Sequence, residues 1–281
     1  MSDAQNKHRY GNTPVVTGHS SLVTRHFAAG GVAAIVPAAG AGRRMGSAGG
    51  KLFVPLRGEP LLVHTLRALQ ANPSVRWIVP VVRRRERARV EALLARHKIT
   101  KALRPCLGGA SRAESVARGF AALPREAAWV LVHDGARPCL TPALIRQAVQ
   151  AARRRGAVAC GLPAMLTVKS VNGARRVRET LDRTRLWFVQ TPQVFRRDWF
   201  AQALARVNGS LARFTDDAAL VESAGFPVSM VPGDPLNIKV TTKEDLMLAD
   251  TILRSRTQLS AISSQLSASN EKARAAVSAR G

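Results

Sequence analysis

The stretch VAAIVPAAGAGRRMGSAGGK, residues 32–51, joins a short apolar run to a loop rich in small residues. The run 32–36 is bounded by glycine and proline, which is typical of a buried strand. In the loop 37–51, glycines and alanines leave backbone N–H groups accessible to an anion, and Arg43, Arg44 and Lys51 add positive charge. The loop suits a bound polyphosphate, although taken alone it also fits a flexible turn with incidental basic residues.

Two commoner phosphate-binding motifs are excluded in this loop. A Walker A sequence ending at Lys51 needs glycine at position 45 and serine or threonine at position 52, but these are Met45 and Leu52. A dinucleotide fingerprint starting at Gly40 needs a glycine at position 43 or 45, and neither is present. The loop therefore belongs to another kind of nucleotide or phosphate site, if it is functional.

After this stretch, apolar runs alternate with amphipathic segments. The runs predict strands at 77–82, 129–133, 158–163 and 227–232, and the amphipathic segments predict helices at 60–69, 84–97, 112–123, 142–154, 197–207, 216–224 and from 243. This alternation predicts an α/β fold, a mostly parallel twisted sheet with helices on both faces. Ligands of such sheets bind beyond the carboxyl ends of the strands, so we expect chemistry just after Val36, Val82 and His133.

Residues 164–190 interrupt the alternation. The segments TVKSV, RRVRETL and LWFVQT look extended, and Asn172-Gly173 and Arg183-Thr184-Arg185 separate them. Because Asn-Gly is a strong hairpin signal, we predict an inserted β-arm of the kind that often makes dimer contacts.

The two ends of the chain differ from its centre. Residues 1–30 are polar and lack the continuous apolar region of a secretory signal, so we expect a disordered N-terminal extension. Residues 255–281 are rich in serine and alanine and are expected to form a C-terminal tail. The predicted domain spans 31–254.

Composition limits the class of protein. The 281 residues are 46% hydrophobic, which excludes wholesale disorder, and no uncharged apolar run is long enough for a membrane-spanning helix. The three cysteines show no CxxC spacing, so we expect neither a disulfide framework nor a structural zinc site. Because free cysteines suit a reducing compartment, we expect a cytoplasmic location.

The net charge of +25 allows two interpretations. A basic surface suits a nucleic-acid-binding protein. However, the arginine clusters at 83–89 and 153–155 lie within amphipathic segments, and aromatic residues make up only 5% of the chain. Few side chains are thus available to stack on bases. We therefore favour solvated helix faces and expect no specific nucleic-acid partner and no membrane partner.

Three further residues are candidates for a role in binding or catalysis. Asp134 follows a predicted strand directly, which places it to hold a metal ion or a substrate hydroxyl, although a turn aspartate is the commoner case. Arg137 can clamp a phosphate or pair with Asp134. Lys239 lies in the extended apolar segment 238–242 and is either a cation of the same pocket or an edge lysine. His133 is interpreted as a packing residue at the strand end.

Eight ordered motifs together resemble the 2-C-methyl-D-erythritol 4-phosphate cytidylyltransferase family, from about Val32 to Leu253. The motifs are VPAAGAGRRMG (36–46), Lys51, GGASRAESV (108–116), VLVHDGARP (130–138), TVKSV (167–171), TLDRTRLWFVQTPQVF (180–195), TDDAALVESAG (215–225) and NIKVTTKEDLMLA (237–249). The resemblance implies a Rossmann-like nucleotidyltransferase that moves a cytidylyl group from CTP to a polyol phosphate.

The resemblance also implies roles for individual residues. Arg44, Lys51, Lys239 and Asp134 form the implied catalytic set. The implied nucleotide-binding residues are Ala38, Ala39, Gly40, Gly109, Ala110 and Ser115. The implied acceptor-binding residues are Ala136, Arg137, Thr167, Arg183 and Thr191, with Thr167 and Arg183 on an arm that crosses a homodimer.

The implied reaction is in-line attack of the acceptor phosphate on the α-phosphorus of CTP, with pyrophosphate leaving. A divalent cation, Mg²⁺ or another, is expected to be held mainly by the CTP phosphates and not by a protein cluster. Two alternatives stay open at this point. One is a cytidylyltransferase with another acceptor, such as ribitol phosphate, and the other is a basic nucleic-acid-binding protein with a degenerate pocket.

Overall fold

The computed structural model describes residues 30–40 and 50–259 of the chain. The strands, in chain order, are β1 (Gly31–Pro37), β2 (Pro55–Leu56), β3 (Glu59–Pro60), β4 (Val75–Val82), β5 (Cys106–Leu107), β6 (Ala127–Val132), β7 (Ala157–Pro163), β8 (Val168–Val171), β9 (Val177–Leu181), β10 (Trp187–Arg196) and β11 (Ser229–Pro232). The helices are α1 (Leu61–Ala71), α2 (Arg87–Arg96), α3 (Arg112–Ala121), α4 (Pro142–Arg155), α5 (Arg197–Ala205), α6 (Asp217–Ser223) and α7 (243–259).

Seven strands form the main sheet, in the order β11, β7, β10, β6, β1, β4 and β5. The pairs β1–β4, β1–β6, β4–β5 and β7–β11 are parallel, and β10 alone runs antiparallel between β6 and β7. The mostly parallel α/β prediction is confirmed.

Helices cover both faces of this sheet. Along β1, Val32, Ala34 and Val36 belong to one hydrophobic cluster, which also holds side chains of α1, α2, α4 and α7. The intervening Ala33 and Ile35 belong to a second cluster with α3, α5 and α6. Successive strand residues point to opposite faces, so a strand covered on both sides reads as a continuous apolar run. No helix in the described ranges has an apolar stretch long enough to cross a bilayer.

The predicted β-arm differs from the observed insertion in one respect. Strands β8 and β9 pair as a separate two-stranded hairpin, which we call the hairpin arm (168–181). The segment LWFVQT, predicted to belong to the arm, instead begins β10 and pairs with β7 in the main sheet. The pattern of 186–191 suits either sheet, and only its tertiary partner decides between them.

The turn of the hairpin arm is organised by Asn172, the first residue of the Asn-Gly pair that predicted a turn. The Asn172 side chain accepts hydrogen bonds from the backbone of Ala174 and Arg176, at 3.0 and 2.9 Å. The left-handed residue is Arg175, with φ 61°, and not Gly173. Asparagine therefore organises a longer loop than the two-residue turn that Asn-Gly most often forms.

The segment 238–242, predicted to be extended, lies outside every described strand. A single backbone hydrogen bond, from Val240 N to Ala136 O (2.9 Å), ties it to the loop after β6. The predicted cap of the last helix is confirmed, because Thr242 Oγ1 accepts from Asp245 N at 3.2 Å and the Asp245 carboxylate accepts from Thr242 N at 2.9 Å.

The last helix runs past the expected domain end at residue 254. Residues 1–29 and 260–281 lie outside the described residues, so the expected disordered extension (1–30) and tail (255–281) remain predictions over those ranges.

Candidate active site

A cavity of about 460 Å³ opens at the carboxyl ends of β1, β4 and β6, where the sheet topology predicts a ligand site. We call it the first cavity. It is lined by Pro37, Ala38, Ala39, Gly40, Lys51, Leu52, Arg83, Gly108, Gly109, Ala110, Ser111, Arg112, Ser115, Asp134, Ala136 and Lys239. All six predicted nucleotide-binding residues are among them, together with three of the four in the predicted catalytic set.

The loop before α3 closes one side of this cavity. A Cβ at Gly108 would stand 2.5 Å from the Cβ of Ala39, so only glycine permits this approach of the two loops. Ser115 Oγ accepts a hydrogen bond from Gly109 N at 3.1 Å and donates to Ser111 O at 2.9 Å. Ser111 in turn caps α3 by accepting from Glu114 N at 3.1 Å. The loop is thus held in place before any ligand binds.

Arg83 braces the opposite side of the first cavity. Its Nε donates to Ala39 O at 2.9 Å, and its Nη2 donates to Gly40 O. Because Arg83 binds both backbone carbonyls, the loop that follows β1 is held at the edge of the cavity. The sequence interpretation assigned Arg83 to a solvated arginine cluster, and the structure corrects this for Arg83. The sequence signal that could have identified Arg83 was its position directly after β4, because residues that follow parallel strands lie at the ligand-binding edge of the sheet.

Two lysines reach the same end of the cavity from distant parts of the chain. Lys51 begins a short 3₁₀ helix (Lys51–Phe53) after Gly50, whose φ of 84° suits glycine. The Lys51 Nζ donates to Val240 O at 3.2 Å, next to Lys239. The Lys239 side chain remains 41% exposed and lines the first cavity.

Asp134 is held ionised by its neighbours. Its carboxylate lies 2.6 Å from Lys239 Nζ and accepts from Arg112 Nε at 3.1 Å. Burial raises the pKa of Asp134, but the positive charges of Arg112 and Lys239 outweigh burial and hold that pKa well below its usual range. Asp134 is therefore a fixed negative charge at neutral pH and not a proton donor.

A second cavity, of about 390 Å³, lies on the other side of this ion pair. Its lining comprises Arg112, Asp134, Arg137, Val189, Gln190, Thr191, Gln193, Thr215, Asp216, Ala218, Glu222, Met230 and Lys239. Arg112, Asp134 and Lys239 line both cavities, so these three side chains form a dividing wall between them. Two reactants placed on the two sides would meet at this wall.

Buried polar contacts support the wall from behind. Thr191 Oγ1 accepts from Asp134 N at 3.1 Å and lies 3.1 Å from Nδ1 of the fully buried His133. Burial lowers the pKa of His133 to about 3, so the imidazole is neutral and serves packing, as the sequence interpretation held. Arg137 donates to Asn237 O at 2.6 Å and makes no ion pair with Asp134 among the described residues. Sequence reasoning allowed that pairing as one alternative.

Two predicted acceptor-binding residues do not join the others in this chain. Thr167 and Arg183 are exposed at the base of the hairpin arm and line neither cavity. Arg183 donates to Met165 O at 2.6 Å. Arg44 lies outside the described residues.

The structure gives positions at the wall to two residues that sequence reasoning left without a role, Arg112 within it and Asp217 in contact with it. Arg112 contacts Asp134 and also donates to Asp217 Oδ2 at 2.9 Å. Both belong to quoted motifs, but 105 positions separate them, so no local pattern indicates that they meet.

The described residues hold no group of three or more histidine, cysteine or acidic side chains arranged to bind a metal. In the first cavity Asp134 is the acidic side chain present, and both of its oxygens are already in ion pairs. This donor set fits a divalent cation that arrives with a polyphosphate ligand, since Mg²⁺ is commonly held by one or two carboxylates plus substrate phosphates.

Comparison with known proteins identifies the family of this chain. The IspD family model, described as 2-C-methyl-D-erythritol 4-phosphate cytidylyltransferase, matches residues 32–255. A protein of that name from Geobacillus kaustophilus is 45% identical over 79% of this chain and 97% of its own length. Another, from Syntrophus aciditrophicus, is 40% identical over 79% of this chain and 96% of its own length.

Solved structures show the same fold. The 4-diphosphocytidyl-2C-methyl-D-erythritol synthase of Anaerococcus prevotii superposes with a TM-score of 0.71 at 28% identity, covering 80% of this chain and 99% of that one. The Thermus thermophilus cytidylyltransferase gives a TM-score of 0.63 at 30% identity, with 80% and 99% coverage. The chain thus belongs to the 2-C-methyl-D-erythritol 4-phosphate cytidylyltransferase family, a family of nucleotidyltransferases.

Proposed function

We propose that the chain transfers a cytidylyl group from CTP to 2-C-methyl-D-erythritol 4-phosphate across the wall formed by Arg112, Asp134 and Lys239. The products are 4-diphosphocytidyl-2-C-methyl-D-erythritol and pyrophosphate. The observation that carries the proposal is the pair of cavities that share this wall, since a transfer between two anionic reactants needs two sites that meet at a cationic point.

The first cavity would hold CTP. Its backbone-lined end, with Ala38, Ala39, Gly40, Gly109 and Ala110, offers amide groups without side-chain bulk for the base and ribose. Ser115 keeps the Gly109 amide in place through its 3.1 Å hydrogen bond. The opposite end, at Lys51 and Lys239, would receive the triphosphate.

The second cavity would hold the polyol phosphate. Arg137 and Thr191 line it, and Ala136 lies on the neighbouring loop toward the nucleotide side. A phosphate held near Arg112 and Lys239 would have its oxygen directed across the wall at the α-phosphorus.

The main obstacle to this reaction is electrostatic. An acceptor phosphate is already ionised at neutral pH, so the site needs no strong general base, and Asp134 and His133, whose pKa values are both held far below neutrality, are too weakly basic to supply one. The required work is to bring two anions together in line and to stabilise the charge of the transition state. Lys51, Lys239 and, outside the described residues, Arg44 would supply that stabilisation.

A divalent cation fits this site as a companion of CTP. Mg²⁺ would be held mainly by phosphate oxygens, with Asp134 as the nearest carboxylate, and when bound it adds positive charge that the phosphates share. The chain itself would orient the reactants and neutralise the remaining charge.

The proposal includes a homodimer. Thr167 and Arg183 lie away from both cavities, while Met165, Leu166 and Phe188 beside them are 76%, 78% and 58% exposed. Large apolar side chains exposed together are typical of a protein interface. We propose that the hairpin arm crosses to a second copy, so that Thr167 and Arg183 contact the acceptor in the partner's second cavity.

The proposal also places the enzyme in the cytoplasm. Cys106, Cys139 and Cys160 are all free thiols, and burial raises the pKa of Cys139 to about 11 and that of Cys160 to about 12. Unpaired cysteines of this kind suit a reducing compartment.

Pyrophosphate release tests the proposal directly. The protein is assayed with Mg²⁺ and 2-C-methyl-D-erythritol 4-phosphate, and with CTP, ATP, GTP or UTP in turn. We expect release with CTP far above the other nucleotides, and none without the acceptor. A parallel series with CTP replaces the acceptor by ribitol phosphate, which should react much more slowly. Faster reaction with ribitol phosphate, or acceptor-independent release, would contradict the proposal.

A further inference from the structure

Asp217 carries the inference. It is the first residue of α6, and its carboxylate is 2% exposed, in contact with the dividing wall but outside the lining of both cavities. The preceding Asp216 already caps α6, accepting from Ala219 N at 2.9 Å, and also accepts from Gln193 Nε2 at 2.9 Å. Since Asp216 performs the capping, the buried charge of Asp217 has another use.

Asp217 contacts the wall through one side chain, Arg112. Arg112 Nη2 donates to Asp217 Oδ2 at 2.9 Å, while Arg112 Nε donates to Asp134 Oδ1 at 3.1 Å. A guanidinium is a rigid planar fork, so fixing one nitrogen sets the direction of the others. The four side chains thus form a row of alternating charge: Lys239, Asp134, Arg112 and Asp217.

The row stands where anionic reactants arrive. Arg112 is 29% exposed and lines both cavities, so a triphosphate or an acceptor phosphate would attract it away from Asp134. Asp217 lies behind Arg112 and opposes that attraction. If Arg112 left the row, Asp134 would lose one of its two cationic partners and Lys239 would lose its fixed neighbour.

We propose that Asp217 is a positioning residue for cytidylyl transfer, which tethers Arg112 so that the Asp134–Lys239 pair keeps its place while the anionic reactants bind. The inference rests on the proposed function, because the reactants that pull on Arg112 are those of that reaction. Burial of Asp217 raises its pKa, although Arg112 acts in the opposite direction, which agrees with a carboxylate that depends on this one cation.

The primary test is Asp217→Asn, which preserves shape and removes charge. We expect kcat to fall roughly ten- to hundredfold, the scale of a displaced catalytic group. The Kd for CTP, measured by calorimetry, should stay close to that of the wild type, because the freed Arg112 can still contact the phosphates. Normal turnover in Asp217→Asn would overturn the inference, as would a loss confined to CTP affinity.

A double-mutant cycle shows whether Asp217 acts through Arg112. If it does, Asp217→Asn should have little further effect on kcat in an Arg112→Gln background. The control is Asp198→Asn, which removes a carboxylate bonded to Arg196 (2.6 Å) outside both cavities and should act independently of Arg112→Gln. Equal effects of Asp217→Asn in both backgrounds would refute the tether.

Asp217→Glu separates charge from packing. It retains the negative charge on a longer side chain, so the tether predicts that Glu retains more kcat than Asn. A purely structural role predicts the reverse, because Asn fits the buried site better. Absence of pyrophosphate release by the wild type would refute the proposed function itself. If the wild type is active but the effects of Asp217→Asn and Arg112→Gln on kcat are independent, only the role of Asp217 is refuted.

Discussion

The dividing wall and the hairpin arm carry residues assigned to one reaction, yet they are built in opposite ways. The wall is made of side chains that contact one another, with Asp134 10% exposed between Arg112 and Lys239. The base of the arm presents Thr167 and Arg183 to solvent, beside apolar side chains that are more than half exposed. A site folded within one chain is already organised, whereas the proposed role of the arm's residues requires a second surface.

The largest expected effect concerns the wall. Lys239→Ala should lower kcat by roughly 10²–10³, the cost of losing one preorganised group that stabilises transition-state charge. The measurement is steady-state pyrophosphate release at saturating CTP and acceptor. Lys243→Ala, at an exposed position four residues later that lines neither cavity, is the matched control. Near-normal turnover of Lys239→Ala would contradict the proposal that the wall stabilises transition-state charge.

The arm should behave differently. Arg183→Ala should raise the KM for the acceptor roughly ten- to a hundredfold, the range for a lost hydrogen bond to a charged group, and leave the KM for CTP nearly unchanged. Arg185→Ala, exposed in the same turn, serves as the control. The measurement is the acceptor dependence of initial rates.

Mixing the two variants sharpens the comparison. If arm and wall from different copies form one site, mixing Lys239→Ala and Arg183→Ala proteins should restore about a quarter of the wild-type rate, because half of the random dimers are mixed and each has one intact site. The acceptor is kept well below the raised KM of Arg183→Ala, so that each variant alone is slow. Mixtures that stay as inactive as the separate variants, although subunits exchange, would show that the arm serves its own chain.

The support behind the wall should be visible as pH-dependent stability. Burial lowers the pKa of His133 from 6.5 to about 3, so between these values the unfolded chain binds the proton and the folded chain does not. The stability that neutral His133 contributes is complete above pH 6.5 and is lost as the pH falls. From pH 7 to pH 5 the loss is about 2 kcal/mol. Urea unfolding at both pH values should show a shallower dependence in His133→Gln, and an equal dependence would contradict the prediction.

The smallest effect is expected at the edge of the first cavity. Arg83→Gln removes the brace on Ala39 and Gly40, and we expect a rise of about fivefold in the KM for CTP, in the range for one or two hydrogen bonds. The acceptor KM should not change. Arg85→Gln, in the same arginine cluster but exposed and not lining the cavity, is the control. Equal effects of the two substitutions on the KM for CTP would show that Arg83 contributes no more to the site than an exposed arginine does.

Sequence patterns predicted the parts of this fold that depend on local order. The runs ending at Val36 and Val82 became β1 and β4, and the loops after them line the first cavity. The assignment of 186–191 to the arm was wrong because an extended pattern does not identify its hydrogen-bonding partner. For the same reason the pattern of 238–242 could not show that this segment joins no described strand. Arg83 was misjudged for a related reason, since a cluster of arginines does not reveal which one faces inward.

By itself, the amino-acid sequence determined the α/β layers, because periodicity and strand ends are local features. Its eight ordered motifs, through the family resemblance, indicated the family and most of the residues that surround the first cavity. The tertiary structure alone decided that Arg112, Asp134 and Asp217 lie in one row, and that Thr167 and Arg183 lie away from it. Contacts between side chains a hundred positions apart depend on how the helices and strands pack, and no spacing along the chain encodes them.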